Sequence, residues 1–188
     1  LRDGFHPDSP GGTVQLRDDG TPVLDYPITD FVWDGVRRSW LAMAELQFAA
    51  GAKVVSITAK DKLRKQLAKG LDCSKGHVSF STEFVEKCTM AENGIENALA
   101  WLGMDKPGMY SMELSLLVME AGIKLLQERR PDLLFLSLTD WVQHKWAPNE
   151  DGARTFYRLL DDAIGRLAAL GATVALTADH GMNDKSNA

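Results

Sequence analysis

The sequence has 188 residues, of which 45% are hydrophobic and 25% are charged, and its net charge is −5. This length predicts one domain with enough chain for a hydrophobic core. The negative charge argues against non-specific binding of nucleic acid, which needs a basic surface, although a local cationic pocket for a small anion stays compatible with it. The sequence has no run of about eighteen apolar residues and no visible signal peptide, so we expect no membrane span and a cytoplasmic location.

The cysteines and the chain ends add two further expectations. Cys73 and Cys88 are too few for a disulfide framework, and reduced thiols are the interpretation that we prefer. The chain begins with Leu1 rather than Met and ends in the polar stretch 183–188, and we interpret both ends as cuts.

The first quarter of the chain predicts a hairpin followed by a helix. Segments 13–16 and 22–26 flank a turn signal, Asp-Gly-Thr-Pro, which is typical of a hairpin. Apolar residues then recur at every third or fourth position, which predicts a mostly buried amphipathic helix with Asp34 as its N-cap and Gly51 just after its end. The apolar positions of this helix are Val36, Trp40, Met43, Ala44 and Phe48.

The rest of the chain alternates short apolar runs with helical patterns. The runs have the length and composition of strands buried on both faces, and they lie at 53–58, 133–138 and 173–178. Helical spacing follows at 60–68, 91–102, 111–128 and 152–170. This alternation predicts an α/β fold with a largely parallel sheet flanked by helices. Two local predictions accompany it: Ser111 caps its helix, and 71–86 is a polar loop in which His77 is solvated.

Two Asp/His pairs follow predicted strands. Asp140 comes two residues after the second run, and His144 lies one helical turn further on, where positions i and i+4 share a face. Asp179 and His180 follow the third run directly. Sites in open α/β sheets collect outside the carboxyl ends of the strands, and carboxylate oxygen with imidazole nitrogen suits zinc. A chance spacing and a polar turn at Gly181 are the alternatives, but two such pairs favour a metal site.

Lys60 and Lys62 follow the first strand at the same predicted edge. Two ammonium groups there could hold an anion as point charges. Solvated lysines in the first turn of a helix are the alternative, which the residues alone favour.

Three motifs in these regions resemble phosphonoacetate hydrolase, a di-zinc member of the alkaline phosphatase superfamily. They are Ile-Thr-Ala-Lys-Asp-Lys-Leu-Arg at 57–64, Thr-Asp-Trp-Val-Gln-His-Lys-Trp-Ala-Pro at 139–148 and Thr-Ala-Asp-His-Gly-Met-Asn at 177–183. The resemblance runs over about 50–188, which we interpret as an incomplete alkaline-phosphatase-like α/β domain. Residues 1–49 show no such motif and are treated as a separate, unmatched segment.

The resemblance implies a chemistry and a role for each candidate residue. Asp140 and His144 would hold one zinc ion, Asp179 and His180 would hold the other, and the two lysines would bind the carboxylate of a small phosphonate substrate. In the family a threonine attacks phosphorus, acetate leaves as the C–P bond breaks, and water then releases phosphate. Two metal ions can neutralise charge and activate the nucleophile in such a reaction.

Several parts of the family's pattern are missing. No nucleophilic threonine in an Asn-rich turn, no early Asp and no His beyond Asp-His-Gly is found, so no catalytic residue is assigned and this chain as given is expected to be inactive. The alternatives are another superfamily hydrolase such as a phosphodiesterase or a phosphoglycerate mutase, and a non-catalytic metal-binding α/β module. The stretch 20–26 is also faintly similar to flavin-dependent oxidoreductases. A homodimer is left open.

Overall fold

The computed structural model describes residues 10–178. The chain divides into two compact units, Leu1–Gly51 and Ala52–Ala188. The division of the sequence into an unmatched segment, 1–49, and an alkaline-phosphatase-like domain, 50–188, stays a prediction. Compact units of structure do not test which family each segment comes from.

The first unit contains the predicted hairpin. Strands β1 (Thr13–Leu16) and β2 (Pro22–Asp25) pair antiparallel. The Asp19 carboxylate accepts hydrogen bonds from the Thr21 N–H and hydroxyl at 2.9 and 2.6 Å, which stabilises the turn. The turn residues alone were therefore sufficient to place this hairpin.

Helix α1 (Asp30–Ala49) follows the hairpin, and the prediction that it is mostly buried is wrong. In the part of the chain that the structure describes, no residue of α1 is buried, and Trp40 is 64% exposed. Helical periodicity predicts an apolar face, but it does not supply a partner for that face. The predicted N-cap is also wrong: Thr29 accepts from the Val32 N–H at 3.4 Å, whereas Asp34 lies within the helix and pairs with Arg38.

The second unit is built on a three-stranded parallel sheet in the order β4-β3-β5. Its strands are β3 (Val54–Thr58), β4 (Val78–Ser81) and β5 (Leu133–Ser137). Its helices are α2 (Asp61–Leu67), α3 (Met90–Asn93), α4 (Ala98–Leu102), α5 (Met112–Arg129), α6 (Trp141–Lys145) and α7 (Asp151–Ala169). Two 3₁₀ helices, Cys73–Lys75 and Thr82–Lys87, complete the unit. The predicted α/β class is confirmed.

The core of this unit lies between the sheet and α5. Nine residues of α5 are buried, and the first core cluster joins its apolar side chains to Val55, Ile57, Val78 and Phe80. A second cluster joins α5 to α7 through residues such as Met119, Ile123, Ala163 and Leu167. The sheet edge that carries the candidate site is therefore held by packed elements.

Four local predictions for this unit are wrong. The stretch 71–86 contains strand β4, and His77 is buried, with its Nδ1 accepting a hydrogen bond from the Val54 N–H at 3.0 Å. Strand β5 is not buried on both faces: Leu133 and Phe135 are 57% and 43% exposed. The helix predicted at 91–102 is interrupted at Gly94, whose φ is +71° and whose Cα faces the His77 carbonyl so closely that a Cβ would lie 2.1 Å from that oxygen.

The fourth wrong prediction is the strand at 173–178. Residues 172–178 contain no strand, and Leu176 is 74% exposed. An apolar run becomes a strand only where a neighbouring backbone pairs with it, and among the described residues β5 is hydrogen-bonded to β3 alone. Among residues 10–178, no helix is both long and apolar enough to cross a bilayer.

Candidate active site

The candidate site lies at the carboxyl edge of the parallel sheet. Thr58 at the end of β3 is aligned with Ser81 on β4 and with Ser137 on β5. Just beyond the strands, the Ala59 N–H donates to the Ser137 carbonyl at 2.8 Å, and the Glu83 N–H donates to the Ala59 carbonyl at 3.2 Å. The segments that follow all three strands are thus tied together.

Asp140 and His144 form one half of the predicted metal site. Asp140 is the N-cap residue of α6, but its side chain makes no capping bond. Its Oδ2 lies 2.9 Å from His144 Nε2, and the two side chains are 63% and 61% exposed. A carboxylate only accepts hydrogen bonds, so Nε2 of the imidazole is the donor in this contact.

This pair fits a zinc ion in donor type and spacing. Two ligand atoms about 2.0–2.2 Å from one ion in a tetrahedral arrangement are about 3.3–3.6 Å apart. Opening the 2.9 Å contact by about half an ångström would reach that separation, and His144 Nε2 would give up its proton, so that its lone pair could bind the ion. The solvent exposure of both side chains leaves room for that change, with water or further ligands completing the shell.

The other predicted pair, Asp179 and His180, lies outside the described residues. Within residues 10–178, no group of three or more His, Cys, Asp or Glu side chains is arranged to hold a metal ion. The structure therefore brings together Asp140 and His144, and the convergence of both pairs stays a prediction.

The two candidate anion-binding lysines differ in setting. Lys60 is the N-cap residue of α2; its Nζ lies 3.9 Å from Glu83 Oε1 and 5.4 Å from the centre of the Tyr110 ring. Lys62 is exposed on α2 and, in the part of the chain that the structure describes, forms no salt bridge. The Lys60 side chain is therefore held by neighbouring groups, whereas the Lys62 side chain is more accessible to solvent.

Sequence reasoning missed the acidic residue between these lysines. Asp61 is only 8% exposed, and its carboxylate contacts Arg64 Nε and Lys65 Nζ at 2.9 Å each. Burial alone raises the pKa of Asp61, but hydrogen bonds and positive charge from Lys65 and Arg64 outweigh it, and the pKa lies below 3.8. The signal was present, because basic residues at i+3 and i+4 of an acidic residue share its helix face.

Glu83 was also missed. Its Oε2 accepts from the Asp61 N–H at 2.9 Å, and its other oxygen faces Lys60. Glu83 follows strand β4, which sequence analysis assigned to a loop, so no pattern placed it at this edge.

Two threonines at this edge make contacts within the fold. Thr58 is fully buried, and its hydroxyl donates to the Lys60 carbonyl at 2.7 Å. The backbone N–H of Thr139 donates to Ser115 Oγ at 3.1 Å, which ties the end of β5 to α5. These contacts give the Thr58 hydroxyl and the Thr139 backbone structural roles, and no nucleophile is assigned among the described residues.

A family model and solved structures agree with this architecture. The chain belongs to the type I phosphodiesterase / nucleotide pyrophosphatase family, whose model matches residues 24–188, and thus to the alkaline phosphatase superfamily. The match includes helix α1, upstream of the stretch in which the motifs were recognised.

Among solved structures, the chain is similar to phosphonoacetate hydrolase from Sinorhizobium meliloti 1021, in one complex with phosphonoformate and in another with phosphonoacetate. In each case the identity is 42%, the TM-score is 0.66, and the alignment covers 86% of this chain and 38% of the solved one. The predicted resemblance is confirmed. The chain spans about two fifths of the length of these structures, 38%.

Proposed function

We propose that this chain contributes part of the active site of a di-zinc phosphonoacetate hydrolase. Asp140 and His144 hold one zinc ion, Asp179 and His180 hold the second, and Lys60 and Lys62 bind the substrate carboxylate. The observation that carries the proposal is the exposed Asp140–His144 pair, 2.9 Å apart at the same sheet edge as Lys60. The 42% identity to a phosphonoacetate hydrolase supports it.

Each group in the chain has a separate task. When bound, the two zinc ions supply charge neutralisation and activation of the attacking group. The Lys60 ammonium, held between Glu83 and the Tyr110 ring, meets the substrate carboxylate as a point charge. Asp61 neutralises Arg64 and Lys65, which leaves Lys60 and Lys62 as the cations for the substrate.

Metal titration tests the first part of the proposal. Calorimetry with zinc should detect weak binding to the chain, and Asp140→Asn and His144→Ala should weaken it by about 10-fold or more, because few protein ligands are available. Asp161→Asn removes an exposed carboxylate from α7 and is the matched control. Equal affinities in all four proteins would contradict the assignment.

Ligand binding tests the second part. Lys60→Ala should weaken phosphonoacetate binding, whereas the binding of methylphosphonate, which lacks the carboxylate, should change less. Lys69→Ala removes an exposed lysine beyond the end of α2 and is the control. A similar loss for both ligands would place Lys60 at the phosphonate rather than at the carboxylate.

This chain alone should not turn over phosphonoacetate, because no nucleophilic threonine is identified in it. Loss of a covalent nucleophile from a cooperating set commonly costs several orders of magnitude in rate. The assay is release of acetate and phosphate with added zinc and with a chelator as control. Zinc-dependent release at enzymatic rates would show that a nucleophile within the 188 residues was missed.

A phosphodiesterase is the second candidate, because the family model is that of type I phosphodiesterases. The two lysines at the sheet edge argue against it, since a diester substrate has no carboxylate for them to bind. Hydrolysis of bis-p-nitrophenyl phosphate by a longer chain that includes the remaining site, with none of phosphonoacetate, would favour this candidate.

A further inference from the structure

Helix α6 carries both described metal-ligand candidates, yet it is too short to fix its own orientation. It has five residues, and helices of that length are not stable by themselves. Asp140 and His144 are exposed, so neither is held by packing. Neighbouring groups must therefore determine where the pair points.

Two tryptophans lie at the two ends of this helix: Trp141 is its first residue and Trp146 is its C-cap. The Trp141 and Trp146 rings meet edge to face with their centres 5.4 Å apart, and Lys145 Nζ lies 4.6 Å from the centre of each ring. A cation over the face of an aromatic ring is attracted by the negative charge of that face, so Lys145 adds to the contact between the two rings. Beneath them, Val142 is buried against Phe156 of α7. The two helices are thus packed through one aromatic cluster.

Gly152 in the first turn of α7 makes this packing possible. A Cβ on Gly152 would lie 2.3 Å from Trp146 Cε2 and 2.5 Å from Cδ2, so the indole rests directly on the glycine. The loop that connects α6 to α7 is held by two hydrogen bonds. The Ala147 N–H donates to Glu150 Oε2 at 2.5 Å, and the Glu150 N–H donates to the Ala147 carbonyl at 3.1 Å. Glycine is less favourable than alanine within a helix, and here the space left by the missing side chain is filled by Trp146.

We propose that Gly152 and Trp146 are positioning residues for the Asp140–His144 pair. Trp146 lies only two residues after His144 in the sequence, and its packing against Gly152 fixes the carboxyl end of α6. A side chain at position 152 would displace the indole and, with it, the turn that presents His144. The inference rests on the proposed function for the metal, but the positioning itself can be measured without metal.

The test compares Gly152→Ala with Gly165→Ala. Both glycines lie in α7, but a Cβ on Gly165 meets nothing within 4 Å. In the metal-free proteins, ¹⁵N NMR of the histidine rings reports whether His144 keeps a single Nε2–H form bonded to Asp140; a His144→Ala spectrum identifies its signals. We expect Gly152→Ala to change these signals and Gly165→Ala to leave them unchanged.

The second readout is Co²⁺ affinity, followed by the absorption of the bound ion. Gly152→Ala should weaken it by about 10-fold or more, in the range typical of residues that orient metal ligands, and Gly165→Ala should not change it. Trp146→Ala removes the same contact from the other side and should act like Gly152→Ala; it also tests the proposal if Gly152→Ala does not fold. Circular dichroism at the same temperature verifies that each variant is folded.

The outcomes separate the two proposals. If Asp140→Asn binds Co²⁺ as tightly as the wild type does, the proposed metal site is contradicted. Altered His144 signals in Gly152→Ala and Trp146→Ala would still support the positioning role in that case. Unchanged His144 signals in both variants would overturn the positioning role, whatever the metal affinity.

Discussion

Helices α1 and α5 are similar in length and in apolar spacing, but they differ completely in burial. Of the 20 residues in α1, none is buried, whereas nine of the 18 residues in α5 are. Five apolar residues of α5 that recur with helical spacing are all buried to 1% exposure or less: Leu114, Leu117, Val118, Ala121 and Leu125. On α1, Trp40, Met43 and Phe48 are 64%, 53% and 46% exposed.

The difference lies in what each helix can pack against within its own unit. Helix α5 faces a sheet whose central strand is buried, and it contacts α7 on another side. Among the described residues of the first unit, 10–51, α1 is offered only a two-stranded hairpin whose residues are almost all exposed. Apolar periodicity therefore predicts a helix, whereas burial depends on residues elsewhere in the sequence.

The largest expected effect is a matched pair of leucine substitutions. Leu117→Ala in α5 should lower the free energy of unfolding by about 2–5 kcal/mol, because it leaves a cavity in the core. Leu46→Ala in α1 should change it by about 0.5 kcal/mol or less, since Leu46 is 69% exposed. Urea denaturation gives the first value, and hydrogen exchange resolves the two helices. A large effect of Leu46→Ala would show that α1 is covered in solution.

These two helices also show what a sequence can and cannot predict here. The long helices α1, α5 and α7, the hairpin and the central strand β3 follow from local periodicity and turn residues. Strand β4 was missed because its pairing with β3 is long-range, and the break at Gly94 depends on the distant His77 carbonyl. The Asp140–His144 contact was predictable from its spacing within one helix turn, whereas Glu83 reaches the site only through the sheet.

Two glycine substitutions sharpen the contrast within the second unit. A Cβ on Gly122 of α5 would lie 2.7 Å from Leu136 Cδ1 of β5, whereas one on Gly165 of α7 meets nothing. Gly122→Ala should destabilise by about 1–3 kcal/mol through overpacking. Gly165→Ala should stabilise by about 0.5–1 kcal/mol, because alanine favours the helix. Opposite shifts in thermal midpoint are expected, and a neutral Gly122→Ala would mean that Leu136 repacks freely.

The buried Asp61 adds a pH-dependent difference. Because its pKa in the folded protein lies below 3.8, its stabilising effect is present above that pH and is lost as pH falls through the folded pKa. Asp61→Asn should destabilise the second unit by about 1–2 kcal/mol at pH 7, where it weakens charge-assisted hydrogen bonds. Urea denaturation of both proteins at pH 7 and pH 3 should show this difference shrinking at the lower pH. A difference that is constant with pH would contradict the ion-pair role.

The smallest expected effect concerns the N-caps of the same two helices. Thr29 caps α1 through its hydroxyl, which accepts from the Val32 N–H at 3.4 Å. Ser111 occupies the predicted N-cap position of α5, but the prediction that its side chain caps the helix is wrong: its hydroxyl makes no capping bond and donates to the Gly108 carbonyl at 3.0 Å.

Thr29→Ala should therefore cost about 0.5–1 kcal/mol, and Ser111→Ala should cost less because no helix N–H loses its partner. Hydrogen exchange in the first turn of each helix measures the two effects separately. Since α1 has no buried residue, its cap contributes a larger share of its stability, and faster exchange should spread along α1 but stay confined to the first turn of α5. Equal spreading in both helices would show that packing does not hold α5 as its buried face implies.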